Sequence, residues 1–110
     1  MEYRIIVLGT EYVIREETKY QNHLLEECDG YCDKTSKTIC VLERNEDSDL
    51  AFYEDYKKKV KRHEIIHAFL FESGLHENWT HENGHDETFI DWIAVQFPKL
   101  KKAFEEADAL

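Results

Sequence analysis

Residues 62–70 read Arg-His-Glu-Ile-Ile-His-Ala-Phe-Leu, and within them His63, Glu64 and His67 form the pattern H-E-x-x-H. On an α-helix, side chains four apart lie one above the other on the same face. His63 and His67 can therefore offer two imidazole nitrogens to one metal ion. Glu64, beside them, can reach a metal-bound water as a general base. A tetrahedral catalytic zinc takes three protein ligands and keeps one position open. Residues 86–91, Asp-Glu-Thr-Phe-Ile-Asp, supply a candidate for the third. Glu87 follows His67 by twenty residues, enough for a loop and a return, and Asp91 shares its helical face. A carboxylate at Glu87 can close the site. Asp91, one turn deeper, can accept the second ring N–H of a bound histidine, which fixes the tautomer and makes the imidazole a better ligand. His85 is the rival third ligand, two residues before Glu87. His76 and His81 read as loop histidines, of which one could face a substrate. Each residue also has a plainer reading. His63 and His67 could be helix histidines bonded to acidic neighbours, Glu87 an acid complementing a helix dipole, and Asp91 a surface charge.

The elements that must position these residues follow from the hydrophobic pattern. Tyr3 to Leu8 is apolar and β-branched, Gly9-Thr10 interrupts it, and Glu11 to Glu16 resumes, which predicts a β-hairpin. Residues 17–27 are polar and mixed, either a loop or a short helical turn. After the turn signal Asp29-Gly30, Tyr31 to Asp33 and Lys37 to Leu42 flank Lys34-Thr35-Ser36 as a second hairpin. An acidic loop, 43–49, leads to Ser48 or Asp49 as cap of a helix from near Leu50 to about Ser73, ended by Gly74. Phe52, Tyr53, Tyr56, Val60, Ile66 and Leu70 recur on it at helical spacing, and Ile65 and Phe69 widen the stripe. Residues 76–85 read as a polar loop with an Asn83-Gly84 turn. Asp86 to Phe97 is helical again. Pro98 should stop it or start a new segment, leaving a short final helix over 99–109 with Leu100 and Phe104 inward. Strands first and helices after predict one α+β domain spanning 1–110, its small, mostly antiparallel sheet packed on the C-terminal helices.

Bulk properties exclude other classes. The net charge of −10 lacks the basic footprint a nucleic-acid binder needs. The basic run 57–62 is most simply a solvated helix face. No stretch has the length and apolarity of a membrane span or a secretory signal, so a cytoplasmic protein with no membrane partner is expected. Three cysteines, Cys28, Cys32 and Cys40, do not make a disulfide framework. A zinc knuckle built from them and His23 is conceivable, but Cys32 and Cys40 read as strand residues with packing roles.

H-E-x-x-H followed by a helix bearing E-x-x-x-D resembles the gluzincin branch of the zinc metallopeptidases. The stretch 62–74, with Asp91-Trp92-Ile93-Ala94 and Phe97-Pro98, also resembles small zincin-like proteins of prophages and mobile elements, similar to the ImmA/IrrE-type metallopeptidases. The resemblance implies Zn2+ as cofactor, His63, His67 and Glu87 as metal ligands, Asp91 as their supporting carboxylate and Glu64 as catalytic base. It implies hydrolysis of a peptide or protein substrate. It also implies an edge strand along the cleft that pairs with extended substrate, for which Ile39, Cys40 and Val41 are the candidates. No tyrosine or histidine is identifiable by spacing as an oxyanion stabiliser. The short chain leaves little room for a second lobe, which favours a rival expectation: a zincin scaffold that binds metal and a partner without turnover. A purely structural prophage protein without metal is the third.

Overall fold

The computed structural model describes residues 1–44, 50–78 and 86–110. The expected caps Ser48 and Asp49, the Asn83-Gly84 turn, and His81 and His85 lie outside the described residues. Strands β1 (Glu2–Val7), β2 (Thr10–Glu17), β3 (Gly30–Asp33) and β4 (Thr38–Leu42) precede helices α1 (Tyr53–Glu72), α2 (Leu75–Asn78) and α3 (Glu87–Glu106). This is the α+β arrangement that the order of patterns predicts.

Both hairpins form. Between β1 and β2, Leu8 and Gly9 have φ of 48° and 86°, the paired positive values of a type I′ turn, whose twist matches that of the strands. Between β3 and β4, the Asp33 carboxylate gathers the loop. It accepts from the Thr35 N–H at 2.9 Å, the Thr35 hydroxyl at 2.6 Å and the Ser36 hydroxyl at 2.9 Å. These bonds hold its carboxyl down at about 2.

The way the hairpins join departs from the sequence reading. The strand order is β1-β2-β4-β3, and β2 pairs with β4 in parallel, from Val13–Thr38 to Glu17–Leu42. The composition of β4 explains its place. Ile39, Cys40, Val41 and Leu42 are all buried, a continuous apolar run that needs cover on both faces. Ile39 and Val41 meet Val60 and Ala68 of α1, along with Val7, Tyr12 and Ile14 of the sheet. Cys40 and Leu42 face the other way, onto Leu25 in a 3-10 turn at His23–Glu26 and onto Tyr31. An interior strand bonded on both sides cannot accept a substrate strand. Ile39, Cys40 and Val41 are fully buried, which overturns their assignment as substrate-pairing residues.

Helix α1 begins at Tyr53, three residues later than expected, after an N-cap at Phe52 whose side chain makes no capping bond. It ends as predicted, with Gly74 at φ 82°. Its buried side overlaps the predicted stripe only in part: Val60 is buried and Tyr56 and Ile65 pack against the core, but Lys57, Glu64, His67 and Ala68 also face inward, whereas Phe52 and Phe69 are exposed. Polar anchors at both ends rotate the helix into this position. Near its N-terminus, Glu16 of β2 pairs with Lys57 and Lys61, each at 2.7 Å. At its C-terminus, Glu72 accepts from Thr10 at 3.1 Å, Tyr12 at 2.7 Å and Lys37 at 2.6 Å. The basic run is therefore not a solvated face, because Lys57 is only 6% exposed. Between the anchors, Gly30 lets α1 close on β3, since a Cβ there would lie 2.8 Å from Val60 Cγ1 and 3.1 Å from the Cys40 carbonyl.

Helix α3 is capped by Asp86, which accepts from the Phe89 N–H at 3.2 Å. It runs unbroken through Pro98, contrary to the expected stop. A proline lacks the N–H that would bond the carbonyl four residues back, here that of Ala94. Arg62 of α1 fills the gap, its Nε donating to the Ala94 oxygen at 2.5 Å. The expected separate final helix is the end of α3, where residues 101–110 are all exposed. Phe104 points to solvent instead of inward. Among the described residues, no helix is long and apolar enough to cross a membrane.

Candidate metal centre

The centre lies where α1 and α3 face each other. Four-residue spacing stacks His63 and His67 on one side of α1, with ring centroids 5.0 Å apart. Glu87, in the first turn of α3, reaches across to both. His63 Nε2 lies 2.9 Å from Glu87 Oε2, His67 Nε2 lies 3.0 Å from Glu87 Oε1, and the two Nε2 atoms are 3.2 Å apart. Among the described residues, this is the one group of three or more His, Cys, Asp or Glu side chains close enough to share an ion.

The separations test the fit. Ligands at zinc's usual distance of about 2.0–2.1 Å, arranged tetrahedrally, stand about 3.3–3.4 Å from one another. The observed triangle is a few tenths of an ångström tighter, so a small first-row divalent ion fits with a slight outward movement of Glu87. That residue is 64% exposed on its side chain and free to move. The donor set, two imidazoles and one carboxylate, suits zinc and leaves a position open.

The rest of the arrangement prepares the ligands. Asp91 Oδ1 lies 3.1 Å from His63 Nδ1, where it can accept a ring N–H, the arrangement that would leave Nε2 for a metal. Lys59 donates to the same Asp91 oxygen at 3.0 Å. Burial pushes the Asp91 carboxyl up, but the Lys59 and His63 hydrogen bonds outweigh it and hold the group ionised below the usual range. For His67, burial lowers the pKa, with Glu87 opposing and His63 assisting, so the ring is kept neutral. Glu64 turns toward the sheet, where its Cγ is 3.5 Å from the position of a Cβ on Gly30. Burial and Glu87 push its carboxyl up to about 7, against the pull of His63 and Lys59. His63 and Glu64 line a cavity of about 150 Å3 with Asp29, Tyr56, Lys59 and Asp91.

The structure thus brings together His63, His67, Glu87 and Asp91, with Glu64 alongside. It leaves His76 apart, its ring edge-on to Phe71 at 4.9 Å and its Nε2 3.3 Å from Lys34. The cysteines do not assemble a knuckle. Cys32 and Cys40 sit on neighbouring strands at offset positions that face opposite sides of the sheet. Burial pushes both thiols up to about 12, far from the thiolate a metal needs. Three residues of the site escape the sequence reading. Lys59 stands four before His63, so the spacing that finds the histidines could have found it. Tyr56, whose hydroxyl donates to Asp29, and Arg62 carry no such signal.

Comparison with known proteins identifies no family: no family model matches the chain, and no curated protein or solved structure matches it.

Proposed function

We propose that this chain is a zinc-dependent hydrolase of peptide bonds, with His63, His67 and Glu87 as metal ligands and Glu64 as general base. The observation that carries the reading is the convergence of two imidazole nitrogens and a carboxylate, each about 3 Å from the others. Bound there, zinc supplies a water of lowered pKa and a positive charge that polarises a carbonyl. Asp91 holds His63 in the Nδ1–H tautomer. Glu64 accepts the proton of the attacking water and returns it to the leaving amine. Added positive charge nearby would favour its ionised form, the form that acts as a base. Edge strand β3 replaces β4 as the place for an extended peptide, because it borders the cavity at Gly30 and, among the described residues, pairs along one edge only. The gluzincin-like spacing of H-E-x-x-H and E-x-x-x-D supports the same reading, as does the likeness to the short zincin-like proteins of prophages. An acidic chain with no membrane-spanning helix among its described residues fits a cytoplasmic protein acting on peptides and not on nucleic acids.

A metal-binding interaction module without turnover is the second reading. The modest cavity beside Glu64 favours it, being smaller than the apolar groove of about 340 Å3 between α1 and α3. Elemental analysis and zinc titration come first, followed by Glu64→Gln assayed on a quenched peptide library. An enzyme loses about 10²–10⁴-fold in rate with zinc retained. Zinc binding without turnover in the wild type selects the module. A melting temperature that ignores saturating zinc at neutral pH sinks both readings.

A further inference from the structure

The bond from Arg62 to the Ala94 carbonyl does more than satisfy an orphaned acceptor. Ala94 is completely buried, so its oxygen is out of reach of water. Pro98, four residues on, cannot supply the in-helix donor. The carbonyl therefore has to be met from another element, and Arg62 meets it from α1. Arg62 directly precedes His63, and Ala94 lies one turn beyond Asp91 on α3. The two helices run antiparallel through the site, His67 facing Glu87 and His63 facing Asp91. Arg62 and Ala94 lie further along the same antiparallel seam. A slip of α3 along α1 that broke this bond would also carry Glu87 past the histidines.

We propose that Arg62 and Pro98 together form an inter-helix clamp that sets the register of α3 on α1 and so positions Glu87 and Asp91 against His63 and His67. Pro98 is the half of the device that a helix would ordinarily exclude. By withholding its N–H, it removes the ordinary in-helix donor and opens the Ala94 carbonyl to Arg62. The Arg62 stem lines the apolar groove between the helices together with Ile65, Ile66, Ile93 and Phe97. Arg62 is a positioning residue, without contact with the converging nitrogens and oxygens. The effect on metal binding rests on the zinc reading above, whereas the coupling between Arg62 and Pro98 does not.

The test is a cycle of Arg62→Met, Pro98→Ala and the double variant, measured by thermal melting without metal and by competition for zinc with a chromophoric chelator. Methionine keeps the apolar stem and removes the donor. Arg62→Met should lower the melting temperature of the metal-free protein by at least about 4 °C, because a buried carbonyl is orphaned. In the Pro98→Ala background that loss should largely vanish, since an alanine in place of the proline restores the in-helix N–H. Zinc affinity should behave differently. It should fall about tenfold in Arg62→Met and stay low in the double variant, where the carbonyl is satisfied but the helices are no longer tied. Additive melting temperatures would overturn the coupling. Recovery of zinc affinity alongside stability would reduce Arg62 to a structural donor and overturn the clamp. A wild type that takes no zinc defeats the metal reading, and the melting cycle then decides the coupling by itself.

Discussion

Glu16 and Glu64 are glutamates of nearly equal burial, 6% and 8% exposed, at the same interface between α1 and the sheet. Their carboxyls move in opposite directions. Burial pushes both up. At Glu16, hydrogen bonds from Lys57 and Lys61 more than reverse it, and the group stays ionised below the usual range. At Glu64, the pull of His63 and Lys59 does not overcome burial and the nearby Glu87. The Glu16 cluster is closed: its oxygens meet ammonium groups and little is left to bind. Around Glu64 there is a surplus of acceptors. Glu64, Glu87 and Asp91 face two imidazoles and one ammonium, Lys59. Matched charges hold a fold together. Acceptors that converge without matching donors leave room for a cation, and the pattern separates scaffold from site within one helix.

The comparison breaks first at Glu16. Glu16→Ala leaves Lys57 buried without its main partner and should cost about 3–5 kcal/mol in urea unfolding. The zinc affinity of the folded variant should be unchanged. A loss below about 1 kcal/mol would make the cluster ornamental. The matching change at the site, Glu87→Ala, removes an exposed carboxylate and should alter metal-free stability by no more than about 1 kcal/mol. It should abolish the stabilisation by zinc, which in the wild type should be about 2.7 kcal/mol at a hundredfold excess over Kd. Calorimetry with and without metal decides. A zinc response that survives in the variant would remove Glu87 from the ligand set.

Asp91→Ala should weaken zinc binding about 10–100-fold while leaving the fold intact. Unchanged affinity would make its bond to His63 incidental. The smallest effect is a pH slope in the metal-free protein. The Glu64 carboxyl lies at about 7 in the fold and near 4.5 unfolded. Between those values the folded state holds the proton more tightly. Its contribution to stability is therefore full below pH 4.5 and lost as pH rises through 7. His67, with a lowered pKa, acts in the opposite direction below its ordinary value of 6.5. The informative quantity is thus wild type minus Glu64→Gln, which should grow as pH falls from above 7 toward 4.5. A flat difference would mean that Glu64 is solvated. With zinc bound, affinity should instead fall below about pH 6, where protons compete for the histidines.

The parts of this arrangement that are legible in the sequence are those with a local period. The i, i+4 spacing of His63 and His67 and of Glu87 and Asp91 is carried by helix geometry alone. The two hairpins are legible too, the first marked by the break at Gly9 and the second by the polar stretch Lys34-Thr35-Ser36 between apolar strands. What stays hidden depends on partners distant in the chain. Lys57 and Lys61 read as a wet surface because nothing near them announces Glu16 on β2. Pro98 reads as a stop because the donor that replaces its N–H stands on another helix. β4 reads as an edge because a buried apolar run has the same pattern whether one or both of its sides are paired.

The parallel pairing of β2 with β4 has a consequence for the order of assembly. Each hairpin closes a short loop and can form within about 10 μs. Joining Val13 to Thr38 must wait for the intervening segment to order, and long-range pairing is the slower kind. In the finished fold α1 packs on the sheet and α3 packs on α1. The histidine pair is in register as soon as α1 is helical, whereas Glu87 joins it only once α3 is packed on α1. During refolding, an ion present in solution first meets two nitrogens and only later a full set of ligands. If the three groups take up zinc as proposed, tight capture should therefore wait for the packing of α3 on α1, and would report the completion of the fold.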